Sequence, residues 1–231
     1  MVSCAMHRAR SLLVLATLVA VAVAATAQPA KPKLVTGTVG LTAKEVPLRN
    51  ACTKTFSQIK KTKRGDDPAL VAALTYPRIT GLDFDPKNER RAAASKKKFE
   101  DWFVKLTKTV EVVTTAQRAA FLDDKAATPQ VRAESAARLS IVLDQAALII
   151  ESSEIPVNIR TITEASEVYC DMLFEKTEPL RAQAKLARES CGHLAGTAKL
   201  TEGWFLAVCT PPTAAAAPAT QPTTPVAPAR P

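Results

Sequence analysis

Cysteine and histidine carry much of the chemistry available to side chains, and this chain holds only five cysteines and two histidines. Three of those cysteines and one histidine fall in a single stretch, YCDMLFEKTEPLRAQAKLARESCGHLAGTAKLTEGWFLAVC, running from Tyr169 to Cys209. Such a stretch could serve haem, a metal, a reactive thiol or structural disulfides. Covalent haem attachment needs two cysteines ahead of the histidine, and Cys191-Gly192-His193 supplies one. A structural zinc site takes four ligands at short paired spacings, whereas these cysteines lie mostly far apart. Cys191 and His193 stand two apart, which on a helix turns them to different faces, a poor base–nucleophile arrangement. A Ser-His-Asp system lacks a second histidine beyond the leader, and no Gly-rich phosphate loop occurs. The acidic pairs Asp123-Asp124 and Glu151/Glu154 read as solvated helix ends. The expectation is a protein that is not an enzyme and takes no metal or cofactor.

The structural reading of the cysteines depends on the compartment. The chain opens MVSCAMHRARSLLVLATLVAVAVAATAQ, with Arg8 and Arg10 ahead of an apolar run from Ser11 to Ala25 and a small-x-small site at Ala25-Thr26-Ala27. This reads as a secretory signal peptide over 1–27. Its apolar run falls short of the ~20 residues of a spanning helix, so no transmembrane segment is expected after cleavage. The expected location is periplasmic or secreted. Cys4 leaves with the signal, and Cys52, Cys170, Cys191 and Cys209 remain, an even number in an oxidising compartment, consistent with two disulfides. If the chain reverses near Leu200-Thr201, Cys191 and Cys209 stand level across an antiparallel hairpin, with Thr201 as the cap of the returning helix. That register favours Cys191–Cys209 and leaves Cys52–Cys170 as the other bridge; a register pairing Cys170 with Cys209 stays open.

The elements that must position these residues read as helices. Glycine is scarce, at seven residues, while Ala, Leu, Lys and Glu abound. Phe99, Trp102, Phe103, Leu106, Val110, Val113 and Phe121 recur at helical spacing within a helix expected over about 86–122. Thr128-Pro129 is a cap with proline at the first helical position, and the helix behind it carries Val131, Leu139, Val142, Ala146, Ile149 and Ile150 on one face. Further helices are expected over about 157–174, from the Thr177-Glu178-Pro179 start with Leu180, Ala184, Ala187, Cys191 and Leu194 inward, and around Trp204, Phe205 and Val208. A less regular first helix is expected over about 41–62, with 66–85 mostly loop around one short helical piece. The fold class is thus all-α, with antiparallel helical hairpins packed as a bundle or a short TPR-like α-solenoid. RAESAARLS and RAQAKLARES lie about 49 residues apart and hint at stacked helix pairs longer than the ~34 residues of a standard tetratricopeptide unit. The domain spans 41–210, between a linker over 28–40 and an Ala/Pro/Thr-rich tail over 211–231 that has too much proline for a helix.

FEDWF, TPQVRAESAARLSIVLDQAALIIESSEIP, YCDMLFEKTEPLRAQAKLARESC and GWFLAVC together resemble the C-terminal helical domain of bacterial envelope tetratricopeptide-repeat proteins of the gliding-motility type. The resemblance covers about residues 99–209, with Tyr169, Pro179, Cys191, Trp204 and Cys209 where that pattern expects them. Such proteins carry many tandem repeats ahead of this domain, and this chain has a short segment there. The resemblance implies a scaffold or adaptor and carries no catalytic residue across.

Charge supplies the remaining signal. The net charge of +9 becomes +7 on losing Arg8 and Arg10 and no acid. The excess clusters at Lys54, Lys60, Lys61, Lys63 and Arg64, and again at Lys87, Arg90, Arg91, Lys96, Lys97 and Lys98. Outside the cytoplasm nucleic acid is not an expected partner; lipid headgroups, cell-wall polymer or an acidic protein are. Two functions follow as expectations. One is an exported, non-catalytic helical scaffold or adaptor that mediates protein–protein interaction in the bacterial envelope. The other is a basic module that binds an anionic envelope component through these clusters.

Overall fold

The computed structural model describes residues 42–48, 50–61 and 66–209. The expected signal peptide, linker and tail lie outside them. Within them the chain is mostly helical, with one two-stranded antiparallel sheet.

The expected first helix is instead a hairpin. Strand β1 (Thr42–Pro47) pairs with β2 (Thr55–Lys61), setting Val46 opposite Phe56 and Ala43 opposite Ile59. Phe56 and Ile59 are the buried pair, and their spacing of three imitates a helical stripe. The β-branched Thr42, Val46, Thr55 and Ile59 favour the extended chain. Asn50, at φ 61°, takes the left-handed conformation in the connection, which Asn tolerates better than most residues.

Helix α1 (Pro68–Leu74) starts at Asp67, whose carboxylate accepts from the Ala69 amide at 2.9 Å. Its Leu70, Ala73 and Leu74 pack with Ile59, Val113 and Val142. Helix α2 (Glu89–Arg118) is capped by Asn88, whose side chain accepts from the Arg91 amide at 3.1 Å, and it loosens into a π turn over Ala119–Asp123. Helix α3 (Pro129–Glu151) begins at the expected Thr128 cap, with the Val131 amide 3.3 Å from the hydroxyl. One turn, α4 (Val157–Arg160), leads to α5 (Thr163–Thr197), and a last turn, α6 (Leu206–Cys209), follows a bend.

Helix α5 corrects a second expectation. Residues 157–174 and 177 onward do not form two helices; a single helix runs through Pro179. Proline removes one amide donor and crowds the carbonyl four residues back. That carbonyl belongs to Glu175, on the exposed side of the helix, where water can take it. Thr177, Ala184 and Ala187, buried on either side of the proline, hold the helix against α3. Thr177 caps nothing: its hydroxyl donates to Glu151 at 2.6 Å.

Helix α3 is the centre of the fold. It packs against α1, α2, α5 and α6 and touches β2. Helices α2 and α5 run antiparallel to it. Leu106 meets Ile149 in one cluster and Val113 meets Val142 in another, while Glu151 reaches Thr177 and Ala133 reaches Cys191. Ala133, Ala136, Ala137, Ala146 and Ala147 on α3 and Ala184, Ala187 and Ala195 on α5 are buried, so small side chains allow the close approach. The two similar segments, RAESAARLS and RAQAKLARES, lie on α3 and α5 themselves, which pack on each other rather than in successive pairs.

The loop between α1 and α2 and the connection of the hairpin are both tied through their backbone to the turn after α3. The Glu154 amide donates to the Ile79 carbonyl at 3.1 Å, the Val157 amide to Leu82 at 3.0 Å and the Ile155 amide to Asn50 at 2.8 Å. Glu154 also accepts from the Gly81 amide at 2.7 Å and from Arg160 at 2.8 Å. These bonds satisfy the groups an irregular segment otherwise leaves exposed to loss of solvent.

Candidate functional site

The four expected cysteines fall into two pairs at disulfide distance. Cys52, beside the hairpin, and Cys170, on α5, have Cα atoms 5.3 Å apart. Cys191 on α5 and Cys209 on α6 are 5.1 Å apart. The second pair does not come from two level helices about Leu200 as expected. Helix α5 ends at Thr197, the chain returns as a bend, and Thr201 starts no helix. Gly203, at φ 127°, makes that bend beside the Phe205 ring, where a side chain would collide. Gly192 gives the returning chain room: a Cβ there would sit 2.8 Å from the Cys209 carbonyl oxygen. His193 is exposed, while Cys191 is fully buried with its sulfur 3.0 Å from the Ala133 carbonyl oxygen. Among the described residues no three His, Cys, Asp or Glu side chains gather as a metal site.

The two basic clusters do not form one site in the described residues. Lys63 and Arg64 lie outside those residues, and Lys60 and Lys61 end β2. Lys54 is exposed in the connection before β2. Lys87, Arg90, Arg91, Lys96, Lys97 and Lys98 are all exposed at the start of α2. Three of them are engaged: Arg91 pairs with Asp83 at 3.3 Å, Lys97 with Asp101 at 3.0 Å, and Lys98 donates to the Thr80 carbonyl at 2.7 Å. Exposed pairs of this kind contribute little to stability and leave the charge available to a partner. Next to them an open depression of about 550 Å³ is lined by Tyr76, Lys97, Lys98, Asp101, Trp102 and Lys105. The indole N–H of Trp102 donates to the Pro77 carbonyl at 2.9 Å, and the Tyr76 hydroxyl donates to the Trp102 carbonyl at 3.3 Å, so both rings are fixed. Burial pushes the Tyr76 phenol above its ordinary pKa.

A second surface went unnoticed in the sequence: the outward face of α5. Val168 and Met172 lie one turn apart, and Leu186 falls on the same line about five turns of 3.6 residues beyond Val168. They are 59%, 51% and 62% exposed. Scattered exposed apolar residues are ordinary, but a line of them on one helix is a candidate contact surface. Glu164, Glu167, Asp171, Glu175 and Glu178 rim its first half, against the single cation Lys176. The signal was present in the 4-3-4 spacing of Glu164, Val168, Asp171 and Glu175, which lie on one face of a helix whose opposite side is buried.

The inward polar residues of α3 and α5 have structural work. Glu151 is 2% exposed, not a solvated helix end, and it is held by Thr177 and by both nitrogens of an Arg181 fork. Those bonds raise the Arg181 pKa. Asp144 pairs with Arg188. Arg138, 2% exposed, pairs with Glu134 at 3.4 Å and lies 5.6 Å from the Trp204 ring centre. Burial lowers its pKa, with Glu134 opposing the shift. Leaving either Glu151 or Arg138 buried without its partner would be costly.

No family model, curated protein or solved structure matches this chain. No helix among the described residues is long and apolar enough to cross a membrane.

Proposed function

We propose that this chain is an exported, non-catalytic helical adaptor that binds another protein in the bacterial envelope through the outward face of α5. The observation that carries the reading is the exposed apolar pair Val168 and Met172, rimmed by carboxylates, with exposed Leu186 farther along the same helix, which is anchored by α3. A rigid helix face with apolar anchors and a charged rim suits recognition of a partner helix or loop. The resemblance to the C-terminal domain of envelope tetratricopeptide-repeat proteins, and the apolar leader, support the same reading and its periplasmic or secreted setting. Helical hairpins packed as a bundle, with α3 at the centre, are the architecture we assign to it. The direct test is recovery of the tagged chain from intact, crosslinked cells with Val168 and Met172 replaced by Asp. Loss of a stoichiometric protein partner supports the assignment; an unchanged partner profile removes α5 from it.

The exposed cations of α2 favour a second reading, in which Arg90, Lys96, Lys97 and Lys98 grip an anionic lipid headgroup or cell-wall polymer beside Trp102. Binding of that kind collapses as the Debye length shrinks from ~10 Å at 0.1 M salt to ~3 Å at 1 M. Retention on anionic vesicles that ignores both salt and the K96E/K97E/K98E variant removes it.

A further inference from the structure

Carboxylates crowd the outward side of α5 along its first half. Glu164, Glu167, Asp171, Glu175 and Glu178 recur at three and four residues, and all five are exposed. That spacing stacks them in one ridge, on the side of the helix away from the buried Ala184 and Cys191. Val168 and Met172 flank the ridge on one side and Phe174, 41% exposed, flanks it on the other. Like charges three or four apart on a helix repel each other. The helix dipole compensates only Glu164, in the first turn. Between Glu164 and Glu178 the only cation is Lys176, although the whole chain carries a net charge of +9. Elsewhere Asp83, Asp101, Asp144, Glu151 and Glu154 are in ion pairs; none of the five ridge carboxylates is, among the described residues. The free helix thus holds a repulsive row that a cationic partner would relieve.

We propose that the occupant of the α5 face is a basic amphipathic helix of a partner protein, with Lys or Arg at three- and four-residue spacing beside an apolar stripe. Its cations would lie against Glu167, Asp171 and Glu175, and its stripe against Val168 and Met172. From Glu164 to Glu178 the ridge runs about 21 Å, at ~1.5 Å per residue, so about four turns of partner helix cover it. Lipid headgroups and cell-wall anions carry the same sign as the ridge and are repelled by it. This inference rests on the α5 face being an interaction surface.

The probe is a fluorescent amphipathic peptide built of Lys and Leu, titrated by anisotropy into the full chain purified after export, with a Glu/Leu peptide as control. The Lys/Leu peptide should bind and the Glu/Leu peptide should not. E167Q/D171N/E175Q and, separately, V168S/M172S should each weaken binding about tenfold or more. E100Q/E111Q, which removes exposed carboxylates from α2, should leave it unchanged. Urea titration of E167Q/D171N/E175Q should give a midpoint at or above that of the wild type, because the row no longer repels itself, so its lost binding is not lost folding. Binding that ignores either α5 variant, or that falls equally in E100Q/E111Q, overturns the proposal. A lowered midpoint does the same, since the carboxylates would then serve the fold. If Met172 still captures a protein in cells carrying E167Q/D171N/E175Q, the basic partner is lost and the adaptor reading stands.

Discussion

Removing the bridge between Cys52 and Cys170 should uncouple the hairpin from α5 at a cost that can be worked from chain length. Their separation of 118 residues closes a long loop, and the chain-entropy model gives about 5 kcal/mol for a loop of that size. The 18-residue separation of Cys191 and Cys209 gives about 3 kcal/mol on the same model. Accessibility runs the other way. Cys52 and Cys170 are partly exposed, whereas Cys191 and Cys209 are 0% and 2% exposed beneath Phe205 and the alanines of α3. Mild reductant under native conditions should therefore open the first pair while the second stays closed until the domain unfolds. Alkylation followed by mass spectrometry reads the order directly. Calorimetry of C52A/C170A should show a Tm lowered by about 10–20 °C, at about 2–4 °C per kcal/mol for a domain of this size. Reduction of Cys191–Cys209 first, or a Tm change within a few degrees, would refute the reasoning, because the hairpin would then not be held by α5.

Three further outcomes follow from individual side chains. Arg181→Ala leaves the Glu151 carboxylate buried with Thr177 alone and should cost about 2 kcal/mol, less than for a fully buried pair because Arg181 keeps 43% of its side chain exposed. Urea titration should show E151L/R181L recovering most of that loss; an equal loss in both variants would contradict it. Burial raises the Tyr169 pKa, and its hydroxyl is buried without a hydrogen-bond partner. Stability from the neutral phenol is therefore complete below about pH 10 and is lost as pH rises through the raised value. Tyr169→Phe should be neutral or stabilising at pH 7 and should blunt alkaline unfolding; a large loss at pH 7 would show that the hydroxyl has a partner. Pro179→Ala restores an amide within α5 and should stabilise the helix by about 1–3 kcal/mol, read as a higher urea midpoint; destabilisation would mean that a proline bend is part of the packing.

Long-range periodicity carried most of the helical elements. The stripe through Leu106 and Val113 and the one through Val142 and Ile149 are buried as their spacing requires, and the Thr128-Pro129 start is in place. Local signals failed where tertiary contacts overrode them. Phe56 and Ile59 look helical by spacing, yet cross-strand pairing with Val46 and Ala43 makes them a hairpin. Pro179 looks like a start, yet burial of Thr177 and Ala184 on either side carries the helix through it. Glu151 looks like a solvated end because its partners, Thr177 and Arg181, come from another helix. For the surface, the sequence exposed the α2 cations by their run. The acidic-apolar face of α5 is less legible, because spacing alone does not say which side of a helix packs against α3 and which stays exposed.

The adaptor reading is tested most directly by a photo-crosslinking amino acid placed at Met172 in living cells, with a second at Lys97. The account predicts a discrete protein adduct at Met172. No protein adduct at Met172, with lipid or cell-wall material captured at Lys97 alone, would contradict it and move the function to the basic face of α2.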